Sequence, residues 1–203
     1  MKHATIVRPP TVGFCLVLSA PSGAGKTTVS RLLLAADPSI SRSVSMTTRA
    51  PRPGEIDGHD YTFTTREQFQ SLIKTNAFLE WAEVHGDFYG TPRTLIEQTI
   101  RAGRIALLVI DVQGGQAVKA LFPDAVLVFL MPPSMENLEQ RLRSRGTEAN
   151  AVIEKRLNEA LVELQYLSHF TYGIVNEENK QQETVDAIRA MIRTERCRIS
   201  RWE

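Results

Sequence analysis

Nearly continuous apolar runs of strand length alternate along this chain with stretches whose apolar residues return at helical spacing. The run 14–19 predicts a strand and 26–35 a helix. Farther on, Ile105-Ala-Leu-Leu-Val-Ile110 and Ala125-Val-Leu-Val-Phe-Leu130 contain no polar residue, the composition of parallel strands buried on both faces. A short helix over 115–121, stopped by Pro123, fits between them. Helices are predicted over 134–145, with Ser134 as N-cap and Leu138 and Leu142 one turn apart, and over 151–168, with a stripe of Ile153, Leu157, Leu161 and Leu164. A strand over 172–176 and a closing helix over 184–197 complete the pattern. Such β-α alternation predicts an α/β fold, a parallel sheet flanked by helices. The stretch 41–90 breaks the rhythm. Its candidate strands at 44–48, 61–64, 78–84 and 88–89 are short and half-polar, with a helix near 67–74 and turns at Arg52-Pro-Gly54, Asp57-Gly58 and His85-Gly86. This predicts a small, mostly antiparallel subdomain inserted after the first helix.

The 203 residues fit one domain, and 42% hydrophobic content supplies a core. With 24 basic against 23 acidic residues the net charge is +1, which gives no global argument for nucleic acid; any basic site must be local. No apolar run has signal-peptide or bilayer-spanning length, and Cys15 and Cys197 form no disulfide framework or metal-ligand spacing. A cytoplasmic protein with reduced thiols and no membrane partner is expected, with 1–12 a flexible leader. His3, His59, His85 and His169 are scattered, as structural or surface histidines are.

The candidate chemistry begins at the end of the first strand. Ala20, Pro21, Ser22, Gly23, Ala24, Gly25, Lys26 and Thr27 join that strand to a helix opening with Thr28, the layout of a phosphate-binding P-loop, with Ala20 where the first glycine is usually written. Gly23 and Gly25 let the backbone curl until several N–H groups point at one centre, and the helix N-terminus adds partial positive charge there. Lys26 then reaches the β- and γ-phosphates of a nucleoside triphosphate, and the Thr27 hydroxyl binds Mg²⁺. In the inserted stretch, Arg49 and Arg52 sit on a proline-stiffened loop and offer forked, permanent cations suited to a phosphate monoester. Tyr61 and Tyr89 add hydroxyl donors.

Ser45-Met-Thr-Thr-Arg-Ala-Pro-Arg-Pro-Gly54, Gly58-His-Asp-Tyr61, Glu80-Trp81 and Tyr89-Gly-Thr91 together resemble the guanylate kinases, over essentially all of 14–176. The resemblance implies a P-loop nucleoside monophosphate kinase with a core (13–40, 92–133 and 170–198), a GMP-binding subdomain (41–91) and a helical lid (134–169). It implies transfer of the γ-phosphoryl of ATP to GMP, with Mg²⁺. Glu80 is matched to the chemistry of the base. Guanine offers N1–H and N2–H₂ side by side to a carboxylate, whereas adenine meets it with a lone pair at N1. By resemblance Ser45 and Thr91 are hydroxyls that contact the base, and Asp111 is a carboxylate near its amino group.

Arg141, Arg145 and Arg156 match the lid arginines that close onto the ATP phosphates and adenine, whereas Arg143 reads as a surface helix-end cation. Asn176 stands where an asparagine contacts adenosine, though the following Glu177-Glu-Asn-Lys departs from the usual Asp-Asp. The family often writes Asp-Ile-Asp where this chain has Val109-Ile-Asp111. Either Asp111 suffices for metal and base or, as we prefer, Mg²⁺ is held mainly by phosphates, water and Thr27. Two alternatives share parts of the pattern. A non-catalytic guanylate-kinase-like module binding phosphopeptides needs no intact P-loop, and a P-loop sugar-phosphate kinase has no use for Glu80. A homo-oligomer stays open.

Overall fold

The computed structural model describes residues 12–52, 54–84, 86–144 and 149–202; nearly all of the expected leader, together with His3, His85 and Arg145, lies outside them. Strand β1 (Cys15–Ser19) is buried along its whole length and runs through the P-loop into α1 (Lys26–Ala36). Next comes β2 (Ile40–Arg42), three residues of which only Ile40 is buried. The insertion then supplies β3 (Met46–Thr47), β4 (Thr62–Phe63), α2 (Arg66–Lys74), β5 (Phe78–Val84) and β6 (Asp87–Pro92). The chain returns to the core through α3 (Arg93–Arg101), β7 (Ile105–Val109), α4 (Val112–Leu121) and β8 (Val126–Met131). The helices α5 (Met135–Ser144) and α6 (Asn150–Leu164), over the stretch expected to form a lid, follow, and then β9 (Tyr172–Val175) and α7 (Gln181–Arg196).

The core sheet has the order β2-β7-β1-β8-β9, parallel at every pairing. Alternation along its strands sends Leu16, Leu18, Leu107 and Val128 against α1 and α7 on one face. Cys15, Val17, Leu108 and Leu127 face a second cluster with Ile96 of α3 and Val118 of α4. Both faces are covered, as the polar-free runs require. β2 belongs to this sheet, and Ser43 N–H still donates to the Leu107 carbonyl at 2.8 Å. The insertion therefore leaves the core after Ser43, not at Ser41.

The inserted sheet has the order β4-β3-β6-β5, antiparallel except for β3 with β4. Its own small core is Phe69, Phe78 and Phe88, with Phe69 stacked on Phe78 at 4.3 Å between centroids and on Phe88 at 5.4 Å. Helix α2 starts on a reciprocal capping box, Thr65 with Gln68. Strand β5 links the two units: Leu79 packs into the second core cluster, while Glu80, the next residue, points the other way into the cleft.

Helices α5 and α6 pack on each other through Leu138, Leu142, Ile153 and Ala160. The expected stripe drifts: Leu161 is 49% exposed and Ala160 takes the inward place. At the C-terminus, buried Glu195 accepts from Tyr172 Oη at 2.8 Å and from Arg201 Nη2 at 2.9 Å, tying the segment after α7 back to the sheet.

Candidate active site

The P-loop obtains its shape from two left-handed glycines and a brace behind them. Gly23 and Gly25 have φ of 92° and 96°, and Ala24 N–H closes a turn onto the Pro21 carbonyl at 3.0 Å. Asn176, 1% exposed at the end of β9, donates from Nδ2 to the Ala24 carbonyl at 2.8 Å and accepts from Thr184 Oγ1 at 3.1 Å. A Cβ on Gly25 would lie 2.4 Å from Asn176 Nδ2, so glycine is required there on conformational and on steric grounds. Asn176 thus sits behind the loop with its amide spent on protein groups, and it does not line the cavity in front. That cavity, about 270 Å³, is walled by Ala20, Pro21, Ser22, Gly23, Gly25 and the first turn of α1, including Lys26, Thr27 and Thr28. Ala24 is buried beneath it.

Lys26 Nζ donates to the Ile110 carbonyl at 3.3 Å. Burial pushes its ammonium below the ordinary lysine range, and the carboxylates of Glu163 and Asp111 pull it back up. Glu163, on α6, lines the same cavity, and its own carboxyl is raised by burial against the opposing pull of Lys26. Nothing in the sequence reading pointed to Glu163, because the assumed stripe on α6 placed it off the inward face. With Ile153 and Ala160 inward, Arg156 and Glu163 each follow an inward residue by three and share one side of the helix. Arg156 Nη1 donates to Ser22 Oγ at 3.3 Å, and Arg141 Nη2 to the Asn176 carbonyl at 2.9 Å. Two of the three expected lid arginines therefore already touch the P-loop or its brace. Arg143 instead pairs with Glu139 and Asn150 on the surface, as read.

A second cavity of about 340 Å³ opens where β2 and β7 end against the inserted sheet. Its walls include Ser45, Tyr61, Glu80, Tyr89 and Asp111, with Lys26 and Thr27 at the P-loop end. Thr91 is 0% exposed and lies behind the wall, donating to Glu80 Oε1 at 2.5 Å with its own hydroxyl 3.4 Å from Ser45 Oγ. Its place is to orient Glu80. Burial raises the Glu80 carboxyl above the ordinary range; the Thr91 hydroxyl opposes this and Asp111 adds to it.

The two clamp arginines do not line this cavity. Arg49 Nη2 forks onto Glu55 at 2.8 and 3.0 Å, and its guanidinium lies over the Tyr61 ring at 5.5 Å. Arg52 is exposed, and its backbone N–H donates to the same Glu55 at 2.7 Å. The apolar Val109 lines the cavity, and Asp111 caps α4 by accepting from Gly114 N–H at 2.8 Å. Among the described residues no group of three or more His, Cys, Asp or Glu is placed to hold a metal, and His59 and His169 are exposed. Thr27 is exposed at the mouth of both cavities and offers a hard oxygen suited to Mg²⁺.

A guanylate kinase family model matches residues 13–195. The chain belongs to the guanylate kinase family. It is 48% identical to the guanylate kinase of Desulfitobacterium hafniense (strain Y51) over 189 residues, covering 93% of this chain and 94% of that one. The guanylate kinase of Myxococcus xanthus (strain DK1622) is 44% identical over 200 residues, covering 98% and 94%. The crystal structure of guanylate kinase from Anaplasma phagocytophilum superposes with a TM-score of 0.76 at 40% identity, covering 94% of this chain and 90% of that one. The guanylate kinase fold thus bears out the α/β reading, parallel core and inserted sheet included.

Proposed function

We infer that this chain transfers the γ-phosphoryl of ATP to GMP, releasing ADP and GDP. One observation carries the reading beyond the family: the P-loop cavity and the cavity under Glu80 are walled by the same two residues, Lys26 and Thr27. Two phosphate-bearing molecules, one in each cavity, meet over a single ammonium. Phosphoryl transfer asks for little else than such alignment and charge.

Each residue then has a role. The P-loop amides and the α1 N-terminus cradle the ATP phosphates, and Lys26 leaves the Ile110 carbonyl for the β- and γ-oxygens. Arg156, already at Ser22, and Arg141, beside Asn176, bring cations over the same phosphates as the lid closes, excluding water. Across the joint, Glu80 accepts from guanine N1–H and N2–H₂, held in place by Thr91, and Ser45 faces the base. Tyr61 and Tyr89 donate to the monoester, and Arg49 turns from Glu55 onto it. Thr27 would help hold Mg²⁺, which when bound would neutralise charge between the phosphates. The shared walls favour a kinase over a phosphopeptide-binding module, and the carboxylate at 80 disfavours a sugar-phosphate acceptor.

The expected setting is the cytoplasm, where ATP and GMP are. Both cysteines are free, and burial pushes Cys15 up to about 12. No helix among the described residues is long and apolar enough to cross a membrane.

Coupled measurement of ADP release tests the reading. GMP should exceed AMP in kcat/KM by on the order of 10⁴-fold, because adenine leaves the Glu80 carboxylate unpaired. Comparable turnover of AMP or of a phosphosugar would sink it.

A further inference from the structure

We propose that Arg42 binds the phosphate monoester of the acceptor nucleotide in the cavity under Glu80. The proposal rests on the reading of that cavity as the GMP site. Arg42 ends β2, the edge strand of the core sheet, and pairs in register with Leu107 of β7. Strand alternation sets it on the same face as Ile40, Leu107 and Val109, the face that carries α1 and Lys26. Ligands of parallel sheets collect at this carboxyl end of the strands.

The charge inventory of the cavity makes the assignment. Among the described residues its walls hold two cations, Lys26 and Arg42, and two carboxylates, Glu80 and Asp111. Glu80 is bonded to Thr91, Asp111 to Gly114 N–H, and Lys26 serves the P-loop cavity as well. Val109, beside Arg42 along the wall, offers no counter-ion. The Arg42 guanidinium makes no hydrogen bond or ion pair to any described residue, and its charge is felt at Asp60 and Tyr61. Asp60 is itself held by Ile56 N–H at 2.8 Å.

A half-buried guanidinium without a partner among the described residues, lining a cavity next to Lys26, is a ready fork for an anion. Its position fits the monoester. The base end of the cavity is fixed by Glu80 and Ser45 and the transferring end by Lys26, so the acceptor phosphate lies between them. Tyr61 and Tyr89 flank that span, whereas Arg49 is turned onto Glu55 outside the cavity wall. Arg42 is the guanidinium already on the wall.

The test compares GMP with guanosine, which shares the base and sugar but lacks the phosphate, in calorimetric titrations of the full chain and of Arg42→Leu. GMP affinity should fall by about tenfold or more while guanosine affinity stays unchanged. Arg42→Lys, which keeps the charge but not the fork, should recover part of the loss, and KM for ATP should move less than about twofold. Arg42→Gln, a shorter but polar and uncharged side chain, carries the same comparison if Arg42→Leu does not fold. A GMP affinity within about twofold of the parent, or equal losses for GMP and guanosine, would overturn the proposal while leaving the acceptor site in place. Failure of the unmodified protein to bind GMP at all would overturn the acceptor reading, and this proposal with it.

Discussion

The two halves of the cleft are built in opposite ways. On the P-loop side the shaping groups are bonded to buried backbone: Asn176 holds the Ala24 carbonyl, Gly25 has no room for a side chain, and β1 lies between β7 and β8 at the centre of the sheet. On the acceptor side the polar groups bond chiefly to one another, Arg49 to Glu55 and Ser45 through Thr91 to Glu80. They stand on a sheet whose private core is three phenylalanines, joined to the main core at Leu79. The first arrangement fixes a shape before any ligand arrives. The second is a small unit with its own core, whose polar groups bond to one another and not to buried backbone; on the proposed reading it closes against the core and those groups exchange partners when a nucleotide enters. A donor site common to many phosphates needs the former; a site that tells one base from another and then closes needs the latter.

Lys26→Ala tests the fixed side and should have the largest effect. The side chain serves the cleft and makes one weak contact to Ile110, so the fold should survive while kcat/KM falls by on the order of 10³-fold or more. Near-normal turnover by a folded variant would remove Lys26 from the mechanism. Phe69→Ala tests the separateness of the two halves. Phe69 is 0% exposed at the centre of the phenylalanine cluster, so its loss should cost about 3–5 kcal/mol, borne by the inserted sheet. GMP binding should collapse while a non-hydrolysable ATP analogue still binds within a few-fold. Parallel loss of both ligands, in binding titrations below the melting temperature, would show one cooperative unit instead.

The same contrast explains what the sequence made legible. The P-loop is local: strand, turn glycines and helix start are consecutive, and the chemistry of Gly25-Lys26-Thr27 reads directly. The strand pair 105–110 and 125–130 was equally clear because burial on both faces leaves no polar residue to confuse the period. The insertion was recognisable through turn residues and through the resemblance of its motifs, but its details depend on pairing between distant segments. β2 escaped because Ile-Ser-Arg has one apolar residue and gains its place from β7 alone. α3 carries a sparse signal, Ile96 and Ile100 one turn apart. Arg42 and Glu163 carry no local mark: each becomes a wall of the cleft through tertiary packing. Asn176 shows the reverse case, a residue placed correctly along the chain whose side chain turns to the protein and not to the cavity.

The smallest expected effect concerns protons on the exchangeable side. In the free protein, burial holds the Glu80 carboxyl above the ordinary range, with Thr91 opposing and Asp111 adding. Accepting from guanine N1–H and N2–H₂ requires the carboxylate, so proton and GMP compete for the same group. As pH falls through this raised pKa, KM for GMP should rise, by at most about tenfold per pH unit, where an ordinary exposed carboxylate would still be ionised. KM for ATP should move less, and GMP binding in that window should release a proton. Stability runs the other way. A carboxyl whose folded pKa lies above its unfolded value favours the fold below the unfolded pKa, and that contribution is lost as pH rises through the folded one. Glu80→Gln, although weaker toward GMP throughout, should abolish both trends and leave only the titration of GMP's own phosphate, which the two proteins share. Parallel pH profiles of KM for GMP in the parent and in Glu80→Gln would mean that the carboxylate at 80 does not read the base.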